Sequence, residues 1–170
     1  MNDGQLSRPT RATSLKIRSL RARAVVLKLE RPVVARIATI TDWPLILIDL
    51  HTDEGIVGRS YLEPYTVKTM RYLIPALHDL GAMLEGRTVS PVELYALARK
   101  SLHFVGYQGM SMIAVAGLDM AAWDALAQAA GVPLCVLLGS SVGPVNAYIN
   151  NGLWLREPAA VAAEAVELRD

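Results

Sequence analysis

The sequence predicts an α+β fold: a three-stranded antiparallel meander, then helices, then the opening strand and helix of a β/α repeat. Three observations predict it. Residues 15–61 hold three segments rich in Val, Ile and Leu, and Asp53-Glu54-Gly55 joins the last two. That turn is a hairpin signal, because glycine takes positive φ at no steric cost. From Val67 onward, apolar residues recur at helical spacing. After Gly143 a short apolar strand pattern precedes an Ala-rich helical one.

The first strand falls in residues 15–30. Its alternation through Ile17, Leu20, Ala22, Ala24, Val26, Leu27 and Leu29 is imperfect, which fits a long strand with a bulge. Residues 45–52 form a clearer strand, and residues 56–61 a third. Residues 67–84 set Met70, Leu73, Ile74, Leu77 and Leu80 on one helical face, with Pro75 as a kink or restart. Ser90-Pro91-Val92-Glu93 opens the next helix: Ser as N-cap, Pro in the first turn, Glu three residues after the cap. That helix runs to about Leu102. A third helix covers residues 110–130 and stops at Gly131, a good C-cap. Residues 134–138 add one helical turn. Residues 144–150 read as a short, fully buried strand, and 158–168 as an amphipathic helix. Residues 1–14 read as a flexible arm, 15–143 as one α+β domain, and 144–170 as the start of the next.

Composition narrows the function. The chain has 170 residues, with 17 Lys+Arg against 16 Asp+Glu, a net charge of +1. That balance excludes a nucleic-acid binder held by a basic face. With 52% hydrophobic and 19% charged residues, the chain is not disordered. The sole cysteine, Cys135, excludes an intramolecular disulfide framework and a Cys-based zinc site, and reads as a small buried hydrophobe. Residues 1–15 contain no apolar signal region, so the expected compartment is the cytoplasm. Residues 125–155 contain no Asp, Glu, Lys or Arg. Interrupting Gly, Pro and Asn argue for chain buried in protein on more than one side, not for a membrane span.

Three stretches are candidates for chemistry. Residues 31–43 are long for a hairpin and unusually apolar, with Val33, Val34, Ala35, Ile37, Ala38 and Ile40. They read as a lid or binding loop, the alternatives being residues that pack on the domain's own core or extend a strand pair. Ser60-Tyr61-Leu62-Glu63-Pro64-Tyr65-Thr66 is an aromatic strand-to-helix corner, of a kind that faces cavities; two half-buried tyrosines are the plainer reading. The third stretch runs from Ala114-Val115-Ala116-Gly117-Leu118-Asp119-Met120-Ala121-Ala122-Trp123-Asp124 through Gly131-Val132-Pro133 to Gly139. Ala116, Gly117 and Met120 allow close helix approach. Asp119 and Asp124 lie roughly 140° apart around a helix, so they do not share one metal and read as structural.

This third string resembles the signature of the mandelate racemase and muconate-lactonizing enzyme family of the enolase superfamily. Pro44-Leu45 through Asp49-Leu50, Gly55-Ile56-Val57-Gly58, Ser60-Tyr61-Leu62, Tyr65-Thr66 and Gly106-Tyr107 are similar to its racemase members. The resemblance implies an enolase-type N-terminal capping domain over residues 15–143. Residues 144–170 would be the first strand and helix of a modified TIM barrel, a (β/α)8 barrel. It further implies that residues 31–43 are the mobile first capping loop, with Val33, Ile37 and Ile40 facing the substrate. Tyr65 would be the second-loop tyrosine at the substrate. Asn150 would end the first barrel strand, where the racemase has a serine. Glu63 departs from the apolar residue found nearby in the racemase, which favours a more polar hydroxy acid.

The family reaction removes the proton α to a carboxylate, with Mg2+ stabilising the enediolate and Lys or His as bases. Those bases and the acidic metal ligands lie on later barrel strands, and so are expected beyond Asp170. Lys16, Lys28, Lys68 and Lys100 form no Lys-x-Lys pair, and His51, His78 and His103 fall in capping segments. No catalytic or metal-ligating residue is therefore expected in this chain, which alone is expected to be inactive. The resemblance implies the N-terminal part of a mandelate racemase-like isomerase acting on a 2-hydroxy carboxylate. An acid-sugar dehydratase and a non-catalytic capping or assembly module are the alternatives. The expected partners are a small carboxylate, the rest of the barrel and further copies in a homo-oligomer, with no nucleic acid and no membrane.

Overall fold

A computed structural model describes residues 14–148 and 152–169. Strands β1 (Ile17–Ala35), β2 (Ala38–Thr52) and β3 (Val57–Leu62) form one antiparallel sheet in that order. Strand alternation sends Ile46, Ile48, Leu50 and Thr52 of β2 to one face, where all are buried. Strand β1 slips register between Ile17 and Ser19, within the stretch whose alternation predicts a bulge, and again between Lys28 and Val33. The β2–β3 turn forms as the sequence predicts. Gly55 has φ 87°, and the buried Thr52 hydroxyl donates to the Ile56 carbonyl (3.0 Å) while accepting from its N–H (3.1 Å).

Five helices follow: α1 (Val67–Leu84), α2 (Pro91–Ser101), α3 (Met110–Ala130), α4 (Leu134–Leu137) and α5 (Pro158–Arg169). Helices α1 and α3 pack side by side on the buried face of the sheet, α1 against β1 and α3 against β3, while α2 packs on α3. Leu73, Leu77 and Leu84 of α1, Leu94 of α2 and Val115 and Leu118 of α3 meet Ile46, Ile48 and Leu50 in the core. Pro75 lies inside α1, which continues past it. Ser90 occupies the N-cap of α2, but its hydroxyl makes no cap bond; only its carbonyl serves, accepting from Leu94 N–H at 2.9 Å. Gly131 closes α3 in the left-handed conformation (φ 67°, ψ 26°).

Helix α3 lies against the sheet at backbone distance. A Cβ on Gly58 would stand 2.0 Å from the Ala121 carbonyl oxygen, and one on Gly117 2.5 Å from Ile48 Cδ1. Gly117 is thus the small residue of the close approach, whereas Ala116 and Met120 are exposed on the outer side. Asp124 Oδ2 accepts from Arg59 N–H (2.7 Å) and from Gln128 Nε2 (2.7 Å); Gln128 also donates to the Val57 carbonyl (2.9 Å). These side chains satisfy the outer backbone groups of β3, an edge strand that would otherwise offer them to another chain. Helix α3 is long and apolar enough to cross a membrane by length and composition alone; here its apolar residues build the core.

The C-terminal segment differs from expectation. Residues 141–148 have no regular structure, and Val145 is 88% exposed. The strand expected over 144–150 is therefore absent from its described part, and Ile149 and Asn150 lie outside the described residues. A parallel barrel strand needs neighbours for its backbone groups on both sides, and no described strand lies beside it. For the same reason, residues 138–148 are exposed and not buried on more than one side. Cys135 is half-buried, with fewer covering neighbours than a core hydrophobe. The helix expected over 158–168 does form, as α5. The arm expected over residues 1–14 falls outside the described residues except at Ser14, and so does Asp170 at the other end.

Candidate substrate-facing cap

The apolar connection between β1 and β2 is a β-ribbon, not an irregular loop. Val33 pairs with Ile40, Val34 with Thr39 and Ala35 with Ala38, leaving Arg36-Ile37 as a two-residue turn. β-branched residues on both sides favour this pairing. Neither turn residue has positive φ, so the tip lacks the primed turn that matches strand twist in short hairpins. Val33 and Ile40 sit together, half-buried, while Ile37 at the tip is 94% exposed. The ribbon extends past the sheet: Ile46 is the last β2 residue paired with β3, opposite Leu62. From Ile46 to Ile40 the chain covers roughly 20 Å of strand.

The corner after β3 therefore lies at the ribbon's end of the sheet. There the Thr66 N–H donates to the Pro64 carbonyl at 2.7 Å, closing a three-residue γ-turn around Tyr65. Tyr65 has φ 61° and is 70% exposed. This is the strained hand of the γ-turn, and a non-glycine side chain there costs about 1–3 kcal/mol. The next residue, Thr66, caps α1 through its hydroxyl, which accepts from Thr69 N–H at 3.3 Å. The helix start fixes one side of the strained residue and buried Pro64 the other. Glu63 is exposed beside it.

The structure thus brings Val33 and Ile40 into contact register, places Ile37 at the tip and sets Tyr65 at the same end of the sheet. No hydrogen bond among the described residues joins Tyr65 to the ribbon, and Asn150 lies outside them. Asp124 has the structural role expected of it. Asp119 does not: it is half-buried with no hydrogen-bond or ion-pair partner among the described residues, and burial raises its pKa above the ordinary 3.8. At the ribbon base, Asp42 pairs with Lys28, which with the Thr41 hydroxyl holds its carboxyl below the usual range. Among the described residues, no group of three or more His, Cys, Asp or Glu side chains is placed to hold a metal ion. Asp170 lies outside the described residues.

Sequence reasoning missed Arg31, Arg156 and Glu164. Glu164 is buried, accepts from Arg156 Nη2 (2.6 Å) and Leu153 N–H (3.0 Å), and lies 3.8 Å from Arg31 Nη1. The available signal was an acid flanked by Ala162, Ala163 and Ala165 on a helix, since a buried carboxylate demands partners.

The profile of the mandelate racemase / muconate lactonizing enzyme N-terminal domain matches residues 17–139. A D-galactonate dehydratase of Klebsiella pneumoniae (strain 342) is 34% identical over 142 residues, covering 79% of this chain and 35% of that protein. The chain spans about a third of the length of the curated relatives it matches. An enolase of the alpha proteobacterium BAL199, solved with bound Mg, superposes with TM-score 0.88 at 65% identity, covering 91% of this chain and 43% of that one. An enolase from Bradyrhizobium, complexed with magnesium and mandelic acid, gives TM-score 0.75 at 41% identity over 80% of this chain and 38% of its own. The L-talarate/galactarate dehydratase of Salmonella typhimurium LT2, liganded with Mg and L-lyxarohydroxamate, gives 0.77 at 25% identity over 99% of this chain and 45% of its own.

Proposed function

The chain belongs to the mandelate racemase / muconate lactonizing enzyme family as its N-terminal domain, and from that we propose that it is the substrate-closing cap of a Mg2+-dependent enzyme that removes the α-proton of a small 2-hydroxy carboxylate. The observation that supports this most is the shared placement of the apolar ribbon and the strained Tyr65 corner at one end of the sheet. A carbon acid of this kind is weak, and its conjugate base places charge on the carboxylate oxygens. Removing the proton needs a dry site with fixed donors. Val33, Ile37 and Ile40 exclude water, and the Tyr65 hydroxyl hydrogen-bonds the acid or one of its hydroxyls. Asn150 contributes a side-chain amide. In this reading the part of these residues in the reaction is binding, orientation and closure. The bases and metal ligands belong to barrel strands beyond Asp170. The remainder of the barrel covers the exposed 138–148 segment, and the chain alone is inactive. The whole protein is a cytoplasmic homo-oligomer.

Two outcomes follow from the same proton abstraction. In dehydration the β-hydroxyl departs, takes up a proton and leaves as water, and the resulting enol tautomerises to a 2-keto-3-deoxy acid. Exposed, polar Glu63 beside Tyr65 and the dehydratase names of the curated relatives favour this outcome and a polyhydroxy acid. In racemisation the proton returns to the opposite face. The apolar ribbon and the Bradyrhizobium relative complexed with mandelic acid favour that second reading. The test is to incubate the full-length protein and Mg2+ with D-galactonate, galactarate and mandelate. Appearance of a 2-keto acid supports dehydration, inversion at the α-carbon supports racemisation, and neither product from any acid overturns both.

A further inference from the structure

The ribbon is broken where it leaves the sheet. Between the pairs Lys28–Asp42 and Val33–Ile40, the β1 side holds residues 29–32 against Thr41 alone on the β2 side. Pro32 in this bulge has no N–H to give to a ladder. The base of the ribbon belongs to the sheet, but only the pairs Val33–Ile40, Val34–Thr39 and Ala35–Ala38 hold the tip together. The tip's own turn does not impose the sheet's twist, and none of its residues is in the core. Nothing within the ribbon therefore fixes the direction in which it points.

Contacts from the C-terminal segment do. Arg31, in the bulge, places Nη1 3.8 Å from Glu164 Oε1 and Nη2 3.2 Å from Glu167 Oε1. The Leu155 N–H reaches the Val34 carbonyl at 3.4 Å. Glu164 is a fixed point. Its side chain is 8% exposed, and Arg156 Nη2 and the Leu153 N–H hold its Oε2 at 2.6 and 3.0 Å. Leu153 itself has φ 55°, a conformation that needs such support. Gly152 leaves no spare room, since a Cβ there would stand 2.7 Å from Leu168 Cδ1. Arg31 thus ties a bulge of undefined direction to a carboxylate of defined position.

We propose that Arg31 and Glu164 are a positioning pair that aims the tip of the ribbon, and with it Val33, Ile37 and Ile40, at the substrate. The pair spans two parts of the fold. Arg31 belongs to the cap, whereas Glu164 lies on α5, the helix that follows the segment containing Asn150. These ion pairs thereby join the apolar lid to the helix that follows the cap. The pair is not a catalytic element, because its effect on substrate passes through the ribbon. The substrate part of this inference rests on the function proposed above, but the aiming of the tip does not.

The test uses the full-length protein with Cys135→Ser and nitroxide labels at Ile37→Cys on the tip and Glu85→Cys at the end of α1. Double electron–electron resonance then reports the tip-to-body distance. A single narrow distribution is expected for the parent. Arg31→Gln should broaden it and add a second population, with circular dichroism unchanged, because Glu164 keeps Arg156 and the Leu153 N–H. Glu164→Gln should do the same, and Arg31→Lys, which keeps the charge, should restore most of the narrow population. In unlabelled protein, Arg31→Gln should raise KM several-fold, up to about tenfold, with kcat little changed, the signature of lost uniform binding. An unchanged distribution in both Gln variants overturns the proposal, as does equal broadening by Lys and Gln. Broadening in a protein that turns over none of the acids leaves the anchor standing and removes the substrate reading.

Discussion

Tyr65 holds a backbone conformation that tyrosine disfavours, and its surroundings explain how. Pro64 on one side is buried, and Thr66 on the other is committed to capping α1, so the residue between them absorbs the turn. Strain of this kind persists where a side chain is worth more in place than the backbone loses. The aromatic corner was visible in the sequence as residue types; the positive φ was not, because it arises from constraints on both neighbours at once. Asp119 is a second residue whose environment the sequence hides. Its carboxyl is desolvated, with no partner among the described residues, so its folded pKa lies above 3.8. Sign follows directly: the folded state binds that proton more readily than the unfolded state. The ionised group therefore destabilises the fold increasingly as pH rises through the interval above 3.8, with no penalty below it. Asp119→Asn should raise the thermal midpoint of this chain at pH 7, and the gain should shrink to nothing as the pH is lowered below 4. A gain that persists in acid would show that desolvation is not the cause.

At the scale of elements, the joint between α3 and β3 is the firmest part of the cap. Gly58 and Gly117 let helix and sheet approach to backbone contact, and Asp124 and Gln128 satisfy the outer edge of β3. Gly58→Ala would put a methyl 2.0 Å from the Ala121 carbonyl oxygen, an obstacle that cannot rotate away. Urea unfolding should show a loss of about 1–3 kcal/mol, toward the upper end. Gly143→Ala, with nothing within 4 Å of the added methyl, should be near neutral. Helix α3 was legible because its apolar run and Gly131 are local signals. The ribbon was only half legible. Its apolar residues were evident, but the tip Ala35-Arg36-Ile37-Ala38 has no Gly, Asn or Asp to mark a tight turn, and the pairing of Val33 with Ile40 rests on a bulge over residues 29–32 that no local rule places. The strand over 144–150 fails for the opposite reason. Its pattern is that of a buried strand, but no described strand lies beside it.

At the scale of the molecule, the cap has a firm body and an unfinished side. The core between the sheet and α1–α3 is closed, while Leu138, Val142, Val145 and Tyr148 are exposed along the chain that leads out of it. The low charge of residues 125–155 thus marks two different things: core in α3, and uncovered apolar surface after it. The ribbon and the Tyr65 corner lie at the same end of the sheet. Under the proposed function, the whole protein loosens the proton α to a carboxylate. Proton NMR of the full-length protein with Mg2+ and a panel of 2-hydroxy acids in D2O measures it directly. The Cα–H signal of at least one acid is expected to disappear by exchange with deuterium, and removing the metal with EDTA is expected to stop it. Retention of every Cα–H signal across D-galactonate, galactarate, mandelate and their epimers would contradict that function.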